Sequence, residues 1–222
     1  FAMPDPGTFG PPPYPTLMAF HGYGGNRFSF RALQRWLDKG YATYSITARG
    51  FDESCLSADS KAADPEGCAK GYIHLIDQRF EIRDTQNFIG NLVDEGLVQP
   101  DGLAAWGVSY GGGHTLSFAA LKDRMMNPDG TLVPWTSPDG TPISIKAAVA
   151  KVPPTDLPYI LAPSGSDLNY LADSSYIYKT RDGRASRVGI LKEGWAQGLA
   201  ATGFTAPIGT DPGADLQGWL AD

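Results

Sequence analysis

Residues 103–121 read LAAWGVSYGGGHTLSFAAL, and the fold turns on how the first part of that stretch meets the second. Leu103 to Val108 is an apolar run with the length and composition of a buried strand. Apolar residues at helical spacing follow Ser109, Tyr110 and three glycines, so a helix is expected to about Met126, with Leu116, Ala119 and Ala120 toward the sheet. Across the junction, Gly107-Val108-Ser109-Tyr110-Gly111 matches G-x-S-x-G. Bare, that pattern is a weak signal. Between a strand and a helix it has a mechanical meaning: a strained turn lifts the Ser109 hydroxyl above the sheet edge, and Gly107 and Gly111 let strand and helix pass each other.

Working outward, the same rhythm recurs. Thr16 to Phe20 (TLMAF) reads as a buried strand, and residues 1–15, broken by Pro and Gly, as an extended lead-in. Arg27 to Lys39 places Phe30, Leu33 and Leu37 on one helical face, with Asn26 as cap and Gly40 as stop. Tyr41 to Ile46 reads as a second strand. A helix from about Asp77 to Asp94 carries Ile82, Ile89, Leu92 and Val93 on one side and ends at Gly96, and Ile143 to Val152 is the fourth strand. Two Pro-Asp-Gly turns bracket TLVPW, which predicts a surface hairpin inserted at about 128–143. Strands alternating with helices imply an α/β fold with a mostly parallel sheet covered on both faces. The rhythm stops at Pro153. Residues 1–152 are therefore expected to form the core, with an incomplete sheet, and residues 153–222 the start of a helical cap.

Composition narrows the chemistry. The 222 residues are 42% hydrophobic and carry 18 Lys plus Arg against 24 Asp plus Glu, a net charge of −6. That suits one packed core; without a basic stripe, neither nucleic acid nor an anionic membrane is an expected partner. No apolar run approaches the ~18 residues of a spanning helix. No basic segment followed by an apolar run opens the sequence at Phe1, so no signal peptide is expected within these residues. Cys55 and Cys68 lie in one polar loop, either as free thiols or as a disulfide. A bond there would close a loop of about 14 residues, contribute roughly 3 kcal/mol, and imply an oxidising, extracellular setting. Zinc would want more ligands nearby. No metal and no cofactor is expected.

His21-Gly22-Tyr23-Gly24-Gly25 follows the first strand, where an acyl-transfer site needs N–H donors for the oxygen that becomes negative. The candidate donors are Tyr23 N–H and Tyr110 N–H, the residue after the nucleophile. His21 is read as holding that loop and not as a base. The sequence has three histidines, and none follows residue 114. His114 lies on a helix leading away from Ser109, and His74 precedes the second helix. In a nucleophile–acid–histidine chain order, the triad Asp and His are then expected outside this chain, and the remainder of the same protein is needed for activity.

HGYGGN, TARGFDES, GYIHLIDQRFEIRDTQ, LVDEGLV and AAWGVSYGGGHTLSFAALKDRMM, over roughly residues 16–175, resemble the cocaine-esterase and Xaa-Pro dipeptidyl-peptidase family of α/β-hydrolases. The resemblance implies a serine hydrolase, often secreted, that forms an acyl-enzyme on Ser109 beneath a helical cap and acts on a small-molecule, peptide or ester substrate. It also implies that the Tyr23 hydroxyl shares the oxyanion hole. Asp52 stands where relatives often carry Gly. A carboxylesterase or polyester hydrolase is the alternative, and a non-catalytic binding module the second.

Overall fold

The computed structural model describes residues 1–155. Four strands form one parallel sheet in the order β2-β1-β3-β6: β1 (Tyr14–Phe20), β2 (Ala42–Ile46), β3 (Val98–Val108) and β6 (Ile145–Lys151). The expected α/β-hydrolase-type arrangement is what these residues adopt. Register places Phe20 beside Gly107, and Val108 beside Lys151. The loops carrying His21 and Ser109 therefore leave neighbouring strands at the same edge, the carboxyl end where open α/β sheets bind ligands.

Period-2 alternation divides the core. Met18, Phe20, Leu103 and Ala105 pack with Ile89 and Val93 of α5 (Arg83–Asp94) and with Phe118 and Leu121 of α6 (Tyr110–Leu121). Trp106, one residue out of that phase, meets Phe28 on the opposite face, at 5.4 Å between ring centroids. Pro15 sits where the β1–β3 register slips, from Tyr14 opposite Val98 to Thr16 opposite Leu103. A residue without an N–H cannot extend the ladder.

Several expectations need correcting. α2 runs Phe30–Leu37 and is capped by Ser29, whose hydroxyl accepts the Ala32 N–H; Asn26 instead donates to Asp52 Oδ2. The shifted start leaves Phe30 60% exposed, while Leu33 and Leu37 are buried as expected. The lead-in holds a single helical turn, α1 (Pro6–Phe9), capped by Asp5. Within the cysteine loop lie α3 (Ala58–Ala63) and α4 (Pro65–Lys70), and Cys55 is bonded to Cys68. α6 stops at Leu121, because Lys122 turns to φ 60° and Arg124–Met126 becomes β4, antiparallel to β5 (Leu132–Pro134). Its inward stripe is His114, Phe118 and Leu121; Leu116, Ala119 and Ala120 face outward, since the turn at Ser109 sets the phase of the helix. Within TLVPW, Thr131, Leu132 and Pro134 lie at the surface as expected, and only the last residue turns inward. Trp135 is 1% exposed and its indole N–H donates to the Gln86 carbonyl, so the ribbon closes over α5. The helical cap expected over 153–222 lies, from residue 156 on, outside the described residues.

Candidate active site

The turn between β3 and α6 is built by backbone contact. Ser109 stands at φ 57°, ψ −120°, a conformation that costs a non-glycine residue about 1–3 kcal/mol and persists only when its surroundings enforce it. They do. A Cβ on Gly107 would sit 2.2 Å from the Gly111 carbonyl oxygen, and one on Gly111 would sit 2.1 Å from the Phe20 oxygen. The Ser109 N–H donates to the Lys151 carbonyl at 2.9 Å, and its own carbonyl accepts the Gly113 N–H at 3.0 Å. Ser109 itself is exposed. The flanking glycines are therefore the reason a helix can start one residue after a strand ends.

The His21–Gly25 loop stands on the neighbouring strand end. His21 is 5% exposed; its Nδ1–H donates to the Gly22 carbonyl at 2.8 Å and its Nε2 accepts the Ala48 N–H at 3.0 Å. With both ring nitrogens engaged, the imidazole ties the loop to the end of β2, and burial lowers its pKa. Gly24 takes φ 76°, and the Gly25 N–H closes the turn on the Gly22 carbonyl at 3.0 Å. Tyr23 packs edge-on against Phe51 and Tyr110, with centroids 5.1 and 5.7 Å apart. The side chains of Tyr23 and Tyr110, the residues expected to supply the oxyanion donors, are thus in contact. Tyr110 opens α6, where the first N–H groups of a helix have no partner within it and suit a developing negative charge.

The remaining two histidines are engaged with aromatic rings. His114 is buried, stacked on Phe20 at 5.3 Å with Nδ1 3.2 Å from the Tyr110 carbonyl, and burial pulls its pKa down to about 4. His74 lies between the rings of Tyr72 and Phe80, 4.5 and 3.9 Å away. No metal-binding group of His, Cys, Asp or Glu occurs among the described residues. Asp52 takes φ 37°, a left-handed conformation that Asp tolerates better than most.

Two features escape a reading of the sequence. Arg49 and Asp84 form a bidentate pair at 2.7 and 2.6 Å, joining the loop after β2 to the start of α5. Glu81 is 3% exposed, and burial pushes its carboxyl up to about 7, against the nearby Tyr110 hydroxyl, hydrogen bonds from the His74 and Ile76 amides and the charge of Arg49. The Tyr110 hydroxyl makes no well-aligned hydrogen bond, yet the two groups lie close enough to shift each other: burial first, then Glu81, raise its pKa. Burial and Glu81 likewise push Tyr23 up to about 12, so both phenols stay protonated at neutral pH. In the string RFEIRD, Glu81 looks like part of a solvated face; a π turn over Gln78–Ile82 rotates it inward.

Comparison with known protein families supplies the family. The acetyl xylan esterase (AXE1) family matches residues 9–137, more than half of the chain, and the chain belongs to it. Comparison with curated proteins finds no match. The chain is therefore a hydrolase of esterase type.

Proposed function

We propose that this member of the acetyl xylan esterase family is a serine esterase that removes short acyl groups, acetyl first among them, from carbohydrate hydroxyls, with Ser109 as nucleophile. The observation that carries the reading is the exposed Ser109 at φ 57°, walled by glycines and set beside Tyr23 and Tyr110. In the reaction, Ser109 Oγ bonds to the ester carbonyl carbon while its proton passes to a base. The tetrahedral oxygen is held by the Tyr110 N–H and by Tyr23, the C–O bond to the sugar breaks, and the alcohol leaves with a proton. Water then attacks the acetyl-serine and releases acetate.

His21 supports the loop through both ring nitrogens, His114 faces the core and His74 is stacked between Tyr72 and Phe80, so the base on this reading comes from outside residues 1–155, with the remainder of the same protein supplying the triad Asp and His. Losing such a histidine costs on the order of a millionfold in turnover. The 222 residues alone should then hydrolyse p-nitrophenyl acetate feebly, and Ser109→Ala should remove what remains. Brisk, serine-dependent turnover by this chain would place the base within it.

The resemblance to cocaine esterase and Xaa-Pro dipeptidyl peptidases carries a second reading, a peptidase on the same nucleophile. Acetylated xylo-oligosaccharide set against an Ala-Pro anilide separates the two: acetate release without anilide cleavage supports the esterase, and the reverse supports the peptidase. Export is part of the proposal. The Cys55–Cys68 bond suits an oxidising compartment, and no helix among the described residues is long and apolar enough to cross a membrane.

A further inference from the structure

Three irregularities meet beside the site, and acyl transfer as described uses none of them. Leu75 and Ile76 stand consecutively at φ 55° and 72°, where a bulky or branched residue is an outlier. Residues 78–82 form a π turn, a local widening often found at functional sites. Glu81, within that turn, is a buried acid. The three are one arrangement: Glu81 Oε1 accepts the His74 N–H at 2.9 Å and Oε2 accepts the Ile76 N–H. Amides turned inward by left-handed residues form a concavity for an anion, and here the anion is the protein's own side chain. The foot of this segment rests on Gly50, where a Cβ would meet the Ile73 nitrogen at 2.7 Å. Its outer side, Leu75 and Ile76, packs with Phe51, Tyr23 and Tyr110.

We propose that Glu81 is a positioning residue of the site: by holding the amides of His74 and Ile76 it locks the 74–76 turn behind Tyr23 and Tyr110, and so fixes the donors that receive the oxyanion. The inference rests on the reading of those two tyrosines as the oxyanion donors. Glu81 touches no reacting atom. It acts through the turn, as a clamp.

The clamp is strongest when the carboxyl is ionised, because a carboxylate accepts both N–H groups well and a protonated acid only one. The groups that face it are Tyr110 of α6, Tyr23 of the loop after β1, Arg49 of the loop after β2 and His74 of the turn itself; His21, Asp84 and His114 share a small cavity with it. With the Glu81 carboxyl pushed up to about 7 by burial, the turn should lock as pH rises through that value and loosen below it.

Two measurements on the complete protein, with its triad Asp and His present, test this. The first is the rate at which a fluorophosphonate labels Ser109 from about pH 5 to about pH 9, in wild type, Glu81→Gln and Glu81→Asp, with Ser109→Ala as control. Glu81→Gln should lower the limiting rate about tenfold to a hundredfold with probe affinity little changed, the scale of a site loosened by about 1 Å. It should also lose the inflection near 7, whereas one due to a catalytic histidine would remain. Leu75→Gly in the Gln background should restore part of the rate, since glycine holds a left-handed turn unaided. If the Gln protein does not fold, Glu81→Asp, which reaches one amide of the two, is read the same way. The second is hydrogen exchange at the His74 and Ile76 amides, protected in wild type and released in the variant. Labelling at the wild-type rate with an unchanged pH profile, or amides that exchange alike in both proteins, overturns the clamp. Labelling that survives Ser109→Ala overturns the nucleophile assignment instead, and exchange still decides the clamp on its own.

Discussion

The turn at Ser109 and the lobe over residues 52–71 are held by opposite means. At the turn, backbone lies against backbone: strand β1, strand β3 and helix α6 approach so closely that glycine alone fits at 107 and 111. The lobe has almost no core. α3 buries nothing and α4 buries Cys68, so the bond from Cys68 to Cys55 takes the place of apolar packing. A catalytic atom must be placed to a fraction of an ångström, and rigid main-chain contacts do that. A polar lobe needs only to be kept nearby, which one covalent tie achieves.

The sharpest way to break the contrast is at Ser109 itself. Ser109→Ala should reduce ester hydrolysis by the complete enzyme by at least about a thousandfold while leaving thermal stability nearly unchanged. Ser109→Gly should be equally inactive yet more stable by about 1 kcal/mol, because it relieves the positive φ. A Gly variant no more stable than the Ala variant would mean the turn is not strained.

Next come the two sterically closed positions. Gly107→Ala or Gly111→Ala should cost about 4 kcal/mol or more, or prevent folding, measured by urea denaturation. Gly67→Ala is the matched control in the lobe. Its added Cβ would come as close, 2.1 Å, but to the Asp64 carboxylate, the flexible cap of α4. That side chain can swing aside, so the loss should be about 1 kcal/mol, the worth of a cap. Equal losses at 67 and 107 would remove the distinction between rigid and yielding neighbours.

Replacing both Cys55 and Cys68 by Ser should cost roughly 3 kcal/mol, seen as a lower thermal midpoint, with activity falling far less than it does at the turn. Titration of the unreduced denatured wild type should find no thiol among these two. A smaller effect comes from pH. The Glu81 carboxyl is raised from 4.5 to about 7 in the folded state, so its contribution to stability is fully present below about 4.5 and is lost as pH rises through about 7. Glu81→Gln should flatten that decline, worth roughly 2–3 kcal/mol, in denaturation curves at pH 5 and pH 8 (approximate settings either side of the transition). The ionised form that locks the turn is thus the form in which the folded protein is least stable.

Legibility followed the range of the forces involved. Leu103–Val108 followed by Ser109 and glycines could be read directly, because strand, turn and helix are set by neighbours along the chain. Gly40 and Gly96 mark helix ends for the same local reason, at φ 85° and 70°. Trp135 read as exposed because the two Pro-Asp-Gly turns beside it are surface signals; its burial depends on α5, about 49 residues away in sequence from the Gln86 carbonyl it meets. The inward face of α6 was misjudged because the turn at Ser109, and not apolar content, sets its phase. Glu81 was invisible. Its burial comes from a π turn, two left-handed residues and an aromatic cluster drawn from two loops and the start of α6.

By itself the sequence determined that a serine stands between a buried strand and a helix, with a glycine loop following an earlier strand, and that no histidine follows residue 114. Those statements concern periodicity, turn chemistry and count, which need no partner distant in the chain. Only the tertiary structure decided that Phe20 and Gly107 lie side by side, that His21 spends both nitrogens on backbone, and that a carboxyl is enclosed behind Tyr110. Burial and the pairing of distant backbone groups are properties of the folded arrangement, and no local pattern encodes them.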